Sequence, residues 1–264
     1  MDLRIAIWHY LGHSLKEIRK KLALVKQVEK DELYFKLKSW LSKEGNFLVT
    51  YFDEDYPESL KNIWNPPVVL FGKGNKELLS KKSFAIVGTR LPTEYGRKVA
   101  YSFSKRLSSY FVIVSGMARG IDAFAHKNAR ETIAVLGNGV DYCYPKENRE
   151  LYLKIIKEGC VVSEYLPWER PRRDNFRARN RIIAGISEGV LIVEGKLKSG
   201  TMITANYALD FGKDVFCVPG NIYSENSQTP NFLIKNGAFL VTNPDDIVEY
   251  YFMRGVLYGS NKKY

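Results

Sequence analysis

Phe84-Ala85-Ile86-Val87-Gly88-Thr89-Arg90 and, shortly after it, Val112-Ile113-Val114-Ser115-Gly116-Met117-Ala118-Arg119-Gly120-Ile121-Asp122 decide the fold. Each is a short apolar run that ends in a glycine-containing turn, carries an arginine and leads towards a helix. This is the strand–turn–helix grammar of a parallel sheet, in which glycine lets the backbone approach a ligand and helix N-termini attract anions. An arginine beside each turn adds mobile positive charge to fixed backbone donors. The stretch predicts a site for phosphate-bearing ligands and leaves open a nucleotide, a sugar phosphate or a nucleic acid.

The same grammar continues outward. Thr132-Ile133-Ala134-Val135-Leu136, Cys160-Val161-Val162-Ser163, Val190-Leu191-Ile192-Val193 and Asp214-Val215-Phe216-Cys217-Val218 are separated by helical patterns, among them residues 148–157 and 203–211. Runs without polar alternation read as strands buried on both faces, so the fold class expected is α/β, with a mostly parallel sheet covered by helices on both sides. Ala238-Phe239-Leu240-Val241 is a last strand-like piece before a short acidic helix starting near Pro244. Upstream, Phe47-Leu48-Val49-Thr50-Tyr51-Phe52 and residues 66–72 read as strands leading into the main domain. Before them, Leu3, Ile7 and Tyr10, then Leu15, Ile18 and Leu22, then Leu33, Leu37, Trp40 and Leu41 recur at helical spacing, broken at Gly12 and Asp31. The organisation expected is a small N-terminal helical domain over residues 1–46, a main domain over 47–254, and a tail over 255–264 that frays from 260 on.

Length and charge bound the function. The chain has 264 residues, a 45% hydrophobic fraction and a net charge of +11, which fits a folded protein with an acidic partner, nucleic acid above all. No run of about eighteen apolar residues predicts a membrane span. No hydrophobic signal core follows the N-terminus, and the three cysteines, Cys143, Cys160 and Cys217, are scattered and odd in number. Reduced thiols and a cytoplasmic location are expected.

Ligands of an open parallel sheet bind at the carboxyl ends of its strands. Gly88-Thr89-Arg90, Ser115-Gly116 with Arg119-Gly120, Gly137-Asn138-Gly139 with Tyr144-Pro145-Lys146, Glu194-Gly195 with Ser199-Gly200-Thr201, and Pro219-Gly220-Asn221 all follow strands here. Their recurrence along one edge makes a floor of amides and hydroxyls able to hold several oxygens. Between Trp168 and Arg181 stand six arginines, Arg170, Arg172, Arg173, Arg177, Arg179 and Arg181, with Phe176 among them. Arginine grips phosphate and stacks on bases, and an aromatic ring offers a stacking surface, a mixture suited to single-stranded nucleic acid. Pairing with Glu164, Glu169 and Asp174 is the competing use of these arginines. No Ser-His-Asp order, metal-ligand cluster or P-loop is present. His126 falls within reach of the Ser115 turn, and Asp122, near a helix start, reads as a cap or backbone anchor.

Taken together these motifs resemble the DNA-processing protein A family (DprA/Smf). The resemblance rests on Gly88-Thr89-Arg90, Ser115 through Asp122 with Ala125-His126, Tyr144-Pro145, Ser163-Glu164, Arg179-Asn180-Arg181, Val193-Glu194, Ser199-Gly200-Thr201, Pro219-Gly220 and Gly237-Ala238, in the family's order. It implies an extended Rossmann-like fold and a dimer that binds single-stranded DNA during natural transformation, protects it, and helps load the RecA recombinase onto it. It also implies a short form without a C-terminal winged-helix domain, the sheet being finished near Val241. The DNA-binding set expected is Gly88, Thr89, Arg90, Ser115, Gly116, Arg119, Gly120, Lys146, Phe176, Arg179, Asn180, Arg181, Ser199, Gly200 and Thr201, with no catalytic residue, cofactor or metal. Two departures stand out. Phe176-Arg177-Ala178-Arg179 replaces the usual Phe-Pro before Arg-Asn-Arg, and Ser227-Gln228-Thr229-Pro230-Asn231 lacks the glycine of Ser-x-Gly-x-Asn.

Two rival readings share the same floor. One is a carrier of a nucleotide or another phosphate-bearing ligand. The other is an enzyme resembling the phosphoribohydrolases, whose Gly-Gly-x-Gly-Thr-x-x-Glu motif has Thr204 here in place of the catalytic glutamate. A hydroxyl does not stabilise an oxocarbenium-like centre as a carboxylate does.

Overall fold

The apolar runs form a nine-stranded sheet in the order β1-β2-β6-β5-β4-β3-β7-β8-β9. The strands are β1 (Asn46–Thr50), β2 (Val69–Gly74), β3 (Ser83–Val87), β4 (Val112–Ser115), β5 (Thr132–Val135), β6 (Cys160–Ser163), β7 (Gly189–Ile192), β8 (Asp214–Cys217) and β9 (Phe239–Leu240). The protein is represented by a computed structural model that describes residues 2–24 and 32–257; the Asp31 break and the tail from 258 lie outside the described residues. From β6 across to β9 every pair is parallel, whereas β2 pairs antiparallel with β6 and with β1.

Parallel neighbours require crossovers, and helices supply them. They are α1 (Leu3–Tyr10), α2 (Leu15–Leu24), α3 (Glu32–Leu41), α4 (Glu58–Lys61), α5 (Glu94–Leu107), α6 (Ile121–Asn128), α7 (Arg149–Glu158), α8 (Arg173–Ala178), α9 (Asn180–Ile186), α10 (Gly200–Asp210), α11 (Gln228–Lys235) and α12 (Pro244–Met253). Successive strand residues face opposite sides of the sheet. Ala85 and Val87 of β3 pack with Ile182, Ile183, Ala205 and Leu233 of α9, α10 and α11. Phe84 and Ile86 pack with Phe103 of α5, Ile121 of α6 and Ile247 of α12 on the other side. Both faces are thus covered, which is why the strands read as continuous apolar runs.

Among the described residues the N-terminal helices share their core with the sheet. Ile5, Ile7, Ile18, Leu37 and Trp40 share one cluster with Leu48 of β1 and Val69 and Phe71 of β2. Two long-range hydrogen bonds fix them there: Tyr10 Oη donates to the Glu164 carbonyl at 2.5 Å and Trp40 Nε1 to Asp141 at 3.0 Å. At the other end Leu257 is buried with the α12 residues, so the packed body continues past 254. None of the three cysteines is paired, and burial pushes the Cys217 thiol up to about 12.

The strand order has one consequence for the site. The chain steps from β3 through β4 and β5 to β6 in one direction, then returns to lay β7 on the opposite side of β3. The loops leaving β3 and β7 therefore part in opposite directions and open a crevice above their carboxyl ends, the topological switch point of an open parallel sheet.

Candidate nucleic-acid interface

A crevice of about 890 Å³ lies at that point. The loop after β3 contributes Gly88, Thr89, Arg90 and Leu91, and the segment after β7 contributes Lys196 through Thr204, including the N-terminus of α10. The crossover between β6 and β7 contributes Arg172, Arg173, Phe176, Arg177, Arg179 and Asn180, while Ala118, Asp122 and Tyr144 close the remaining side.

Glu194, part of the Val193-Glu194 motif but not among the expected ligands, holds the two sides together. It is buried. Its carbonyl accepts from the Thr89 amide at 2.7 Å, and its carboxylate accepts from the Thr93 amide at 2.9 Å and from the Thr93 hydroxyl. Thr93 in turn caps α5 by accepting from the Gly96 amide at 3.2 Å. One carboxylate thus ties the end of β7 to the loop after β3 and to the start of the next helix. Besides its place in the Val193-Glu194 motif, its sequence signal was a charged residue ending a fully apolar strand.

Gly120 braces that loop from beneath. Its φ is +75°, and a Cβ there would stand 2.3 Å from the Thr89 carbonyl oxygen. The next amide, Ile121, donates to that same oxygen at 3.1 Å. Left-handed backbone and close approach both demand glycine. Gly120→Ala is expected to cost about 1–3 kcal/mol and to displace Thr89 and Arg90. Chemical denaturation reads the first effect. Loss of ligand affinity beyond that caused by an equally destabilising core variant reads the second.

The floor is a buried arginine. Arg179 is 4% exposed. Its Nη1 donates to the carbonyls of Gly116, at 2.5 Å, and Val135, and its Nε donates to Asn180 Oδ1 at 3.2 Å. The guanidinium lies flat on Gly116, where a Cβ would sit 2.6 Å from Nη2. Asn180 passes the connection on by donating to the Gly200 carbonyl at 3.2 Å. Burial pushes Arg179 down to about 10, Asp122 opposes that shift, and the like charge of Arg90 adds to it. Asp122 is buried beside it, accepts from the Ala118 amide at 3.3 Å, and has its carboxyl pushed up by burial against the pull of Arg179. It is a backbone anchor.

Charge around the crevice is one-sided. Arg90, Arg172, Arg173, Arg177, Arg179, Lys196 and Lys198 line it, against one carboxylate, Asp122. Lys196 pairs with Glu225. Among the described residues Arg90, Arg172, Arg173, Arg177 and Lys198 form no ion pair. At the crevice wall the Phe176 and Tyr144 rings lie 5.2 Å apart, tilted by 37°. Phe176 packs over Gly137, where a Cβ would lie 2.8 Å from Cδ1.

Of the residues expected from sequence, Gly88, Thr89, Arg90, Phe176, Arg179, Asn180, Ser199, Gly200 and Thr201 meet in this crevice. The others lie outside its lining, each for a geometric reason. Arg181 turns away from it: its Nη atoms grip Glu164 at 2.7 and 2.6 Å, and its Nε donates to the Asn65 carbonyl at 2.8 Å. The Ser115 hydroxyl is spent inside the sheet on the Ile86 carbonyl at 2.7 Å. Gly116 lies beneath Arg179, and Gly120 beneath Thr89. Arg119 pairs with Glu147, and exposed Lys146 stands in the same short turn, outside the lining. Tyr144 was quoted but not singled out as a ligand, and Lys196 and Lys198 fell between quoted stretches, because strand order alone brings their loops together.

The two departures from the family pattern are absorbed locally. Without proline at 177, α8 stays helical to Ala178, and Arg177 joins the crevice. Thr229 takes the glycine's place with its hydroxyl donating to the Lys196 carbonyl at 2.7 Å and its amide to the Gly195 carbonyl at 2.8 Å. It fixes the rim to the turn after β7.

His126 does not reach the Ser115 turn. Its Nδ1 lies 2.7 Å from Thr132 Oγ1, whose own proton goes to the Ile113 carbonyl at 2.7 Å. Nδ1 therefore carries the proton, and Nε2 is buried without a partner. Burial, with Arg179 adding to it, holds this imidazole down to about 3. The folded state refuses a proton that the unfolded chain accepts below about 6.5, so stability falls as pH drops through that window. Acidification from neutrality to about pH 4.5 is expected to remove on the order of 2–3 kcal/mol through this group. The difference between wild type and His126→Gln in denaturant titrations at the two pH values measures it.

A doubly wound, mostly parallel sheet with a cationic crevice at its switch point defines an extended Rossmann-like α/β protein. Within that class, this chain belongs to the family of DNA recombination-mediator protein A, whose model matches residues 47–252. It is 42% identical to DNA processing protein DprA of Streptococcus pneumoniae over 82% of this chain and 79% of that one, and the solved structure of that protein superposes with a TM-score of 0.75. It is 40% identical to DprA of Bacillus subtilis over 90% of this chain and 83% of the relative. A structure of DprA from Helicobacter pylori, described for its single-stranded DNA binding mode, is 30% identical with a TM-score of 0.72 and covers 78% of this chain and 96% of its own. Among the described residues no helix is long and apolar enough to cross a membrane.

Proposed function

We propose that this protein binds single-stranded DNA in the crevice between β3 and β7 and acts in natural transformation. There it protects the incoming strand and helps load the RecA recombinase onto it, as a non-enzymatic cytoplasmic homodimer. One observation carries the binding reading: Arg90 and Arg179 repel each other across the crevice, and among the described residues the only lining carboxylate is Asp122. Such a site is electrostatically incomplete until an anion enters. Phosphates over the Gly88 turn and the N-terminus of α10 meet backbone amides as well as arginines. The Tyr144 and Phe176 rings offer a base a stacking face. The DNA-binding mode described for the Helicobacter pylori relative supports the same choice of ligand.

A crevice of this size also suits a nucleotide, which keeps the carrier as a second reading. The phosphoribohydrolase reading finds no support at Thr204, whose hydroxyl donates back to the Gly200 carbonyl at 3.2 Å. Fluorescence anisotropy of a labelled single strand over a salt series tests the proposal, with duplex and nucleoside monophosphates as competitors. Single strands are expected to win both competitions, with log affinity falling by about 0.7 per phosphate for each decade of salt. Equal competition by duplex, or displacement by nucleotide at low concentration, overturns it. With binding established, faster nucleation of RecA filaments on the bound strand tests the loading role.

A further inference from the structure

The loop after β8 carries side chains that its own backbone leaves outside. Tyr223 is 91% exposed and Ile222 79%, and Leu91, on the loop after β3, is 82% exposed. This loop is pinned to both sides of the crevice. Asn226 Nδ2 donates to the Leu91 carbonyl at 3.0 Å, and the Asn226 carbonyl accepts from the Gly195 amide at 2.6 Å. Glu225, two residues beyond Tyr223, pairs with Lys196 of the crevice lining. At the tip, Asn221 Oδ1 accepts from the Tyr223 amide at 2.9 Å. An apolar and aromatic group held on a fixed backbone, wholly in solvent and next to a row of cations, has the composition of a base-stacking platform.

Resting on the proposed reading of the crevice, we infer that Ile222, Tyr223 and Leu91 form a second stacking station for the bases of the same single strand where it leaves the crevice towards β8. The strand order gives the path. Phe176 packs over Gly137, just beyond β5, and Tyr223 follows β8. Four strand spacings separate them, about 19 Å at about 4.8 Å each. Arg90 and the start of α10 stand between. Bases are gripped at the two ends of the path and phosphates in the middle. Continuity with the cationic crevice selects the occupant: a strand crossing towards β8 meets this patch directly beyond Lys196, which Glu225 of the same loop holds.

The test uses the full chain and oligothymidylates of about two and about twelve nucleotides, the first too short to reach from Phe176 to Tyr223. Tyr223→Ala is expected to lower affinity for the longer strand about tenfold, leave the shorter unchanged, and leave the salt slope unaltered, because stacking neutralises no phosphate. Tyr223→Phe is expected to keep wild-type affinity. The exposure of this side chain separates its loss from the packing of the core, and the melting temperature of each variant checks it. If Arg90→Ala weakens both strands while Tyr223→Ala weakens neither, the second station is refuted and the crevice stands. If neither substitution matters, the crevice reading fails with it. A change in oligomeric state on Tyr223→Ala, with affinity for both strands intact, assigns the patch to a second copy and overturns the inference.

Discussion

Arg90→Ala is expected to weaken single-strand binding by roughly ten- to a hundred-fold and to flatten the salt slope by about 0.7. The size follows from what is lost, one charge-assisted contact of about 1.5–3 kcal/mol, and the cleanness of the test from where Arg90 sits. The backbone on both sides is held without its side chain. Thr89 is fixed by the Glu194 carbonyl and by the Ile121 amide, and Leu91 by Asn226. Among the described residues Arg90 has no ion-pair partner to leave stranded. Unfolding free energy should therefore stay within about 0.5 kcal/mol of wild type, as for other surface substitutions. Arg90→Lys keeps the charge and loses the bidentate fork, so it should restore the slope but not all of the affinity. An unchanged slope in Arg90→Ala would mean that no phosphate lies against the loop after β3, and the proposed path across the sheet would go with it.

How far the sequence reaches can be judged from neighbouring residues. The parallel strands were legible because apolar runs ending in glycine turns have few alternative folds, and their boundaries moved by a residue or two. The position of the crevice was legible only as an edge. Which loops meet there depends on strand order, and nothing local to residues 189–192 says that they pair with β3. That is why Lys196 and Lys198 went unremarked while Arg119 and Lys146, equally basic and equally near a turn, were included. The N-terminal helices were legible as helices, but their sharing of a core with Phe71 is a tertiary fact. Arg179 and Arg181 make the point most sharply. They are the same residue type in one basic run, yet two positions on a helix turn a side chain by about 200°. One faces the crevice floor and the other faces Glu164. Choosing between them requires the phase of the helix against the sheet, which depends on how all the buried residues of α9 pack.

That division of labour gives the second large effect. Arg181→Ala is expected to destabilise the fold by about 3–5 kcal/mol while leaving the salt slope of the remaining folded protein unchanged. Arg181 is 5% exposed. It satisfies both oxygens of Glu164 and also binds the carbonyls of Asn65 and Ala178. Truncation leaves the partly buried Glu164 carboxylate without its partner, which is the costly way to break such a pair. The damage spreads along two connections. Asn65 opens the turn into β2, and the Glu164 carbonyl receives the Tyr10 hydroxyl that ties down α1. Removing both charges in Arg181→Met with Glu164→Leu should recover much of the loss, because two apolar groups of similar length need no partners. Urea titration of the single and double variants gives the stability. Anisotropy with a single strand, below the denaturing range, gives the slope. If Arg181→Ala folds as well as wild type and its slope flattens by one contact, Arg181 is a phosphate ligand after all, and the ion pair with Glu164 opens when DNA binds.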